Sequence, residues 1–242
     1  PWQTPNTNEA DTSDKPAWLR NVVSVGPAAL QSLEASRRDA GEMLLAVDEA
    51  IGGSLAYGIT GIIDTLRSAG VYDNTLILFM SDHGIFWTEH RLTGKPYVYE
   101  ENARIPLLLR YPRLVPLPRK DASFALTNDI APTLIELAGA QPLQGADGKS
   151  LVRVLDGTAD TWRKDFMIEA WGAGQEFAAV HDGAWKYVAY APTAGGDREL
   201  YDLTNDPYEL TSLHADPQYV SRMKSMHARL MEIRPNWPND VP

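Results

Sequence analysis

Residues 75–84 read Thr-Leu-Ile-Leu-Phe-Met-Ser-Asp-His-Gly. The run from Thr75 to Met80, bounded by Asp73-Asn74 before it and Gly84 after it, predicts a strand buried on both faces. Strands of that kind belong to open α/β sheets, which bind ligands beyond the carboxyl ends of their strands. Asp82 and His83 stand side by side at such an end, which makes them candidate metal ligands. The plainer alternative is a turn acid followed by a hydrogen-bonded histidine, since an Asp-His-Gly triplet is a short pattern.

Upstream, residues 1 to about 26 are rich in Pro, Asn, Thr and Asp and read as surface loop. A helical pattern follows from Pro27 to Leu66, with Leu30, Leu33, Leu44, Leu45, Val47 and Ile51 on one side and several glycines weakening its middle. Downstream, Ile105 to Tyr111 is a second strand with an early proline. Asn128-Asp129 can cap a helix running to Leu137 and closing at Gly139. Beyond about residue 160, four short strands (Phe166–Ala170, Phe177–Val180, Trp185–Tyr190 and Glu199–Leu203) are separated by Gly, Asp and Pro turns, the pattern of a small antiparallel sheet. A final helix from about Gln218 to Ile233 carries Tyr219, Met223, Met226 and Leu230 on one side.

The composition narrows the function. The 242 residues can bury a sizeable core, and a net charge of -10 argues against a nucleic-acid or anionic-membrane surface. An acidic chain that takes an anionic substrate needs positive charge gathered locally, from a cation or from lysine and arginine. There is no cysteine, so disulfides, thiolate zinc sites and a cysteine nucleophile are excluded while the compartment, periplasmic or cytoplasmic, stays open. No apolar stretch approaches the roughly 20 residues of a membrane span, and the first residues lack the basic start and apolar centre of a signal peptide.

The residues after the Asp-His pair carry a resemblance. His90 lies eight residues beyond Asp82, and Lys95, preceded by Gly94, five beyond His90. With Val47-Asp48-Glu49-Ala50-Ile51-Gly52, Gly61-Ile62-Ile63-Asp64-Thr65-Leu66, Asp129-Ile130-Ala131-Pro132-Thr133-Leu134, Asp147-Gly148-Lys149-Ser150-Leu151, and Glu199-Leu200-Tyr201-Asp202-Leu203 followed by Asn205-Asp206-Pro207-Tyr208-Glu209, the chain resembles the C-terminal portion of a sulfatase, in the alkaline-phosphatase-like superfamily. Residues 53–60 stand as an insertion where that family runs straight on.

The resemblance implies an α/β fold: part of an alkaline-phosphatase-like sandwich, a mostly parallel sheet with flanking helices, over residues 1–159, and a C-terminal α+β subdomain with an antiparallel sheet over 160–242. It also implies a hydrolase of sulfate monoesters in which Asp82 and His83 ligate a divalent cation, calcium first and manganese or zinc as alternatives. Lys95 contacts the sulfate, and His90 is either catalytic or a structural group that holds the loop by hydrogen bonding. The family's Cys/Ser-x-Pro-x-Arg segment, source of its formylglycine nucleophile, has no match here, nor do its first two metal aspartates, and no histidine precedes His83. Loss of that half would expose apolar strand faces, so the expected partners are a small anionic ester and a second copy of the chain or a missing N-terminal half.

Other readings stay open. A phosphate or phosphonate ester hydrolase would use the same groups, and a non-catalytic remnant would keep the fold without the attack. A stand-alone carboxylesterase would need Ser221 and Lys224 of a Ser-x-x-Lys pattern, or Ser81, Asp82 and His83 acting together. Arg104 is expected to pair with Glu100 or Glu101. Tyr97 and Tyr99 either touch substrate or pack, and Trp2, Trp18 and Trp171 either line an aryl wall or pack in the core.

Overall fold

The computed structural model describes residues 3–172 and 175–238. In chain order its elements are α1 (Ala17–Arg20), α2 (Pro27–Gly52), α3 (Ile62–Ser68), β1 (Ile77–Met80), β2 (Phe86–Trp87), β3 (Thr93–Gly94), α4 (Glu100–Ala103), β4 (Leu107–Arg110), α5 (Ile130–Leu137), α6 (Val152–Leu155), β5 (Phe166–Ala170), β6 (Phe177–His181), β7 (Trp185–Tyr190), β8 (Arg198–Asp202) and α7 (Val220–Ile233). They form two compact units that interleave in sequence. The first holds Pro1–Leu33, His83–Ile105 and Lys164–Pro242, and the second Glu34–Asp82 and Pro106–Arg163. Each unit is thus assembled from separated segments, and the last crossing between them lies at Arg163–Lys164.

The first unit is built on a four-stranded antiparallel meander, β5-β6-β7-β8. Side chains alternate across a strand, and β6 shows what that alternation does. Phe177 and Ala179 join a core with Leu19, Phe86, Leu92, Val98, Tyr99, Val188, Tyr190 and Tyr201. Ala178 and Val180 face the other way, into a core with Tyr187, Ala189, Leu200 and the α7 residues Met226 and Leu230. Both faces of the sheet are therefore covered, and every β6 residue is buried. Asp182 closes the β6–β7 hairpin by accepting from the backbone N–H groups of Ala184 and Trp185 at 3.0 and 2.7 Å.

The N-terminal segment is not the surface loop its composition implies. Asn6, Glu9, Thr12, Lys15 and Leu19 are buried in this unit, and Thr7 bridges to Glu89. Asn6 and Glu9 are held inside by His90, 84 and 81 residues away in the chain, and Lys15 by the Tyr201 hydroxyl and the Glu209 carbonyl.

In the second unit, β1 pairs antiparallel with β4, Ile77 opposite Arg110 and Met80 opposite Leu107. Every strand pairing among the described residues is antiparallel, so the mostly parallel sheet is corrected: an apolar run specifies a strand but not the direction of its neighbour. Nor is β1 buried on both faces, since the cross-strand partners Phe79 and Leu108 are 41% and 60% exposed. The helix read as Pro27 to Leu66 is two helices. Gly53, at φ 82°, ends α2 in the left-handed conformation common past helix ends. Residues 53–60 then loop out around a Ser54–Ile59 bridge before α3 begins.

Asp129 precedes α5 but makes no capping bond to it. Its buried carboxylate instead accepts from the N–H groups of Leu126 and Lys149, each at 2.8 Å, and takes a two-pronged contact from the Arg163 guanidinium. Thr133 completes the knot: its hydroxyl donates to Asp129 O at 2.7 Å and accepts from Leu151 N at 2.8 Å. The segments 129–134 and 147–151 are thereby tied to one another.

Candidate active site

The division between the units falls at the Asp82–His83 peptide bond. Asp82 ends the segment that leaves β1, and its exposed carboxylate takes a hydrogen bond from Ser81 Oγ at 3.4 Å. His83 opens the first unit's central segment. Its Nδ1 donates to the Gly84 carbonyl at 2.8 Å, which leaves the lone pair on Nε2. Lys95 Nζ meets that nitrogen. The structure thus brings together two of the side chains singled out in the sequence, twelve residues apart.

Gly84 is glycine for a local reason. Its N–H donates to Asn102 O at 2.9 Å. A Cβ at this position would lie 1.8 Å from Glu101 O, so no side chain fits.

His90 sits elsewhere in the unit, fully buried and stacked on Tyr99 with ring centroids 4.2 Å apart. Its Nδ1 donates to Glu9 at 2.6 Å, and its Nε2 accepts from Asn6 at 3.1 Å. Burial pushes its pKa down to about 3, assisted by the nearby Lys15 charge. These surroundings are those of the structural role: the ring ties the N-terminal segment to the β2–β3 hairpin. Burial also raises Glu9 and Glu101 to about 7.

Below this lies a dense set of enclosed charges. Lys186, wholly buried, pairs with Glu100 at 2.7 Å and Glu209 at 2.9 Å. Burial works against charge on both Lys186 and Glu100, but opposite partners outweigh it. The Lys186 pKa stands above its ordinary value, and Glu100, beside His181 and Lys186, is held at about 2. Glu199 accepts from Tyr99, Tyr190 and Tyr201, at 2.8, 2.8 and 2.5 Å. Burial raises that carboxyl and all three phenols. The expected Arg104 ion pair with these acids does not form: Glu100 pairs with Lys186 and His181, and Glu101 accepts from Asn6. Lys186 carried a sequence signal, a lone charge inside Trp-Lys-Tyr-Val-Ala-Tyr. Asn6 and Glu9 carried none.

The remaining candidates pack or face solvent. Tyr99 is enclosed, and Tyr97 stacks on Trp18 with centroids 5.6 Å apart. Trp171 lies against Arg234, and Trp2 is outside the described residues. Ser221 and Lys224 are exposed on α7.

The sequence matches the family profile described as sulfatase over residues 4–140, and that described as N-sulphoglucosamine sulphohydrolase, C-terminal, over residues 88–236. The chain belongs to the sulfatase family. It is 30% identical over 216 residues to an N-acetylglucosamine-6-O-sulfatase of Bacteroides thetaiotaomicron, covering 85% of this chain and 37% of that one. A choline-sulfatase of Rhizobium meliloti is 36% identical over 160 residues, covering 65% and 30%. Among solved structures, one in complex with its substrate D-glucosamine-2-N,6-O-disulfate superposes with a TM-score of 0.69 at 26% identity, covering 75% of this chain and 38% of that chain. A phosphonate monoester hydrolase of Agrobacterium radiobacter gives 0.64 at 29%, covering 72% and 38%. This sulfatase chain spans about a third of the length of such relatives, from 30% to 38%.

The sulfatase family generally uses a divalent cation. Among the described residues no group of three or more His, Asp or Glu side chains is placed to hold one. Asp82 and His83 each carry a group of a type that such a cation takes, an exposed carboxylate and an imidazole, but the His83 Nε2 lone pair is met by Lys95 Nζ and would serve a cation only with that contact broken.

Proposed function

We propose that this chain forms part of a hydrolase of sulfate monoesters, and that Lys95, His83 and Asp82 are the groups it brings to the ester. The observation that carries the reading is the meeting of Lys95 Nζ with His83 Nε2. A sulfate monoester is an anion, and its cleavage spreads further charge over the oxygens around sulfur. A lysine amine at that position binds the anion and stabilises the developing charge. Asp82 and His83 would hold a divalent cation, which supplies electrophilic stabilisation when bound. Calcium is the first choice, and manganese or zinc, better suited to an imidazole, are the others. His90 supports the hairpin from which Lys95 follows. The Cys/Ser-x-Pro-x-Arg segment that supplies the nucleophile in the resembled enzymes has no match in the sequence, so these residues account for anion binding and charge stabilisation and not for the attack.

A phosphonate or phosphate monoester is the second reading. It is favoured by the likeness to a phosphonate monoester hydrolase and by the shared chemistry of a tetrahedral anion.

The test is binding of inorganic sulfate to the purified chain, with and without calcium or manganese, followed by turnover of matched nitrophenyl sulfate, phosphonate and acetate esters. A charge-assisted hydrogen bond contributes about 1.5–3 kcal/mol, so Lys95→Ala should weaken sulfate binding by about tenfold or more. Asp82→Ala should abolish any metal dependence. Sulfate binding indifferent to both changes would overturn the reading, and acetate turnover alone, without metal, would replace it with a serine esterase.

A further inference from the structure

His83 meets the Gly84 carbonyl and Lys95 within the first unit, and from Gly84 a chain of contacts leads inward to the buried charges. The ring is set by the Gly84 carbonyl. Gly84 is set by α4, through the N–H bond to Asn102 O and the close approach to Glu101 O. α4 has only four residues, too few to hold a helix by its own hydrogen bonds. Its start is seized from outside. Glu209 Oε2 accepts the Glu100 N–H at 2.8 Å, and Glu209 Oε1 pairs with Lys186. Lys186 in turn pairs with the Glu100 carboxylate and donates to Val98 O at 3.2 Å.

Glu209 keeps this place at a backbone φ of 52°, a left-handed conformation uncommon for a residue with a side chain. Its own carbonyl is held by Lys15. Stability alone does not call for such a knot, because packed apolar residues of similar volume often serve as well as a buried ion pair. The knot does specify where the first turn of α4 lies.

We infer that Glu209 and Lys186 are positioning residues for His83: they seat α4, and α4 through Glu101 and Asn102 presents Gly84 so that the imidazole faces Lys95. The inference rests on the reading of His83 and Lys95 as the ester site, and its test avoids turnover so that the two can fail separately. The chain has five histidines. Labelled with nitrogen-15 in their rings, they report tautomer by NMR, and His83→Gln assigns the resonance.

The parent should show His83 with its proton on Nδ1. Glu209→Gln, still folded by circular dichroism, should lose that single pattern in favour of a mixture of tautomers. Met226→Ala, which weakens the core on the α7 side of the sheet, should leave it unchanged. If Glu209→Gln does not fold, Glu100→Gln removes the Lys186 pair while keeping the N–H that Glu209 accepts, and it should shift the tautomer balance in the same direction. A His83 pattern identical to the parent in the folded knot variant, or an equal change in Met226→Ala, would overturn the inference. Absence of sulfate binding by the parent would instead count against the functional reading.

Discussion

His90 donates from Nδ1 to the Glu9 carboxylate across 2.6 Å, and both side chains are buried. The pair is 81 residues apart in sequence, so one hydrogen bond fastens the N-terminal segment to the loop between β2 and β3. Glu101 stands near the ring's other nitrogen at 3.9 Å, and the Asn6 amide bridges the two. A histidine and two carboxylates enclosed together give the fold a defined response to pH.

Glu9 and Glu101 titrate at about 7 in the fold against an ordinary 4.5. The folded chain holds protons there that the unfolded chain releases, so these groups add stability as pH falls through about 7, in full below about 4.5. His90 acts in the opposite sense, since its pKa falls from 6.5 to about 3 and stability is lost over that window as pH falls. Two carboxylates against one imidazole leave a net gain down to about pH 4.5. Below that, His90 and then Glu100, held at about 2, bring a loss. Thermal melts of the parent should therefore peak near pH 5, with each group contributing about 1.4 kcal/mol for every tenfold change that folding makes in its proton affinity. In Glu9→Gln/Glu101→Gln the peak should move to neutrality, and an unmoved peak would refute the assignment.

Gly84→Ala should be among the most damaging changes of a single methyl group. Its Cβ would meet the Glu101 carbonyl and the Asn102 backbone, neither of which is the free end of a flexible chain. A loss of about 3 kcal/mol or more in urea unfolding is expected, the upper range for overpacking. Gly41→Ala is the control. It lies within α2 with nothing near its Cβ, and should stabilise by about 0.5–1 kcal/mol.

Asp129→Ala should cost about 3–5 kcal/mol, because it leaves the largely buried Arg163 without its carboxylate. It also orphans the N–H groups of Leu126 and Lys149. A loss below about 1 kcal/mol in the same urea measurement would show that the 129–134 and 147–151 segments are held by something else.

The tail was legible in sequence because its alternation and turn residues are local signals: the four strands and the α7 face follow the apolar spacing, and the hairpin at Asp182-Gly183 follows turn chemistry. The sense of β1–β4 pairing was not, since the run Thr75 to Met80 reads alike in either direction. Residues 53–60 were marked as an insertion by resemblance, but only the left-handed Gly53 shows that they end one helix and lead to another. Of the candidate site residues, Asp82, His83 and Lys95 were visible as a spaced motif. The charges that seat α4 were not, because Glu209 and Glu100 meet across 109 residues of chain, a pairing that no short window contains.

Phe79 and Leu108 face one another across the β1–β4 pair on its exposed side. Apolar surface of this kind binds hydrophobic dyes and favours self-association. The parent should enhance the fluorescence of such a dye and scatter light as a species heavier than one 26.8 kDa chain. Phe79→Thr/Leu108→Thr keeps strand-forming residues in both positions, so the fold should survive while the dye signal and the mass both fall. A parent that scatters as a clean monomer and leaves the dye dark would mean that this face does not drive association.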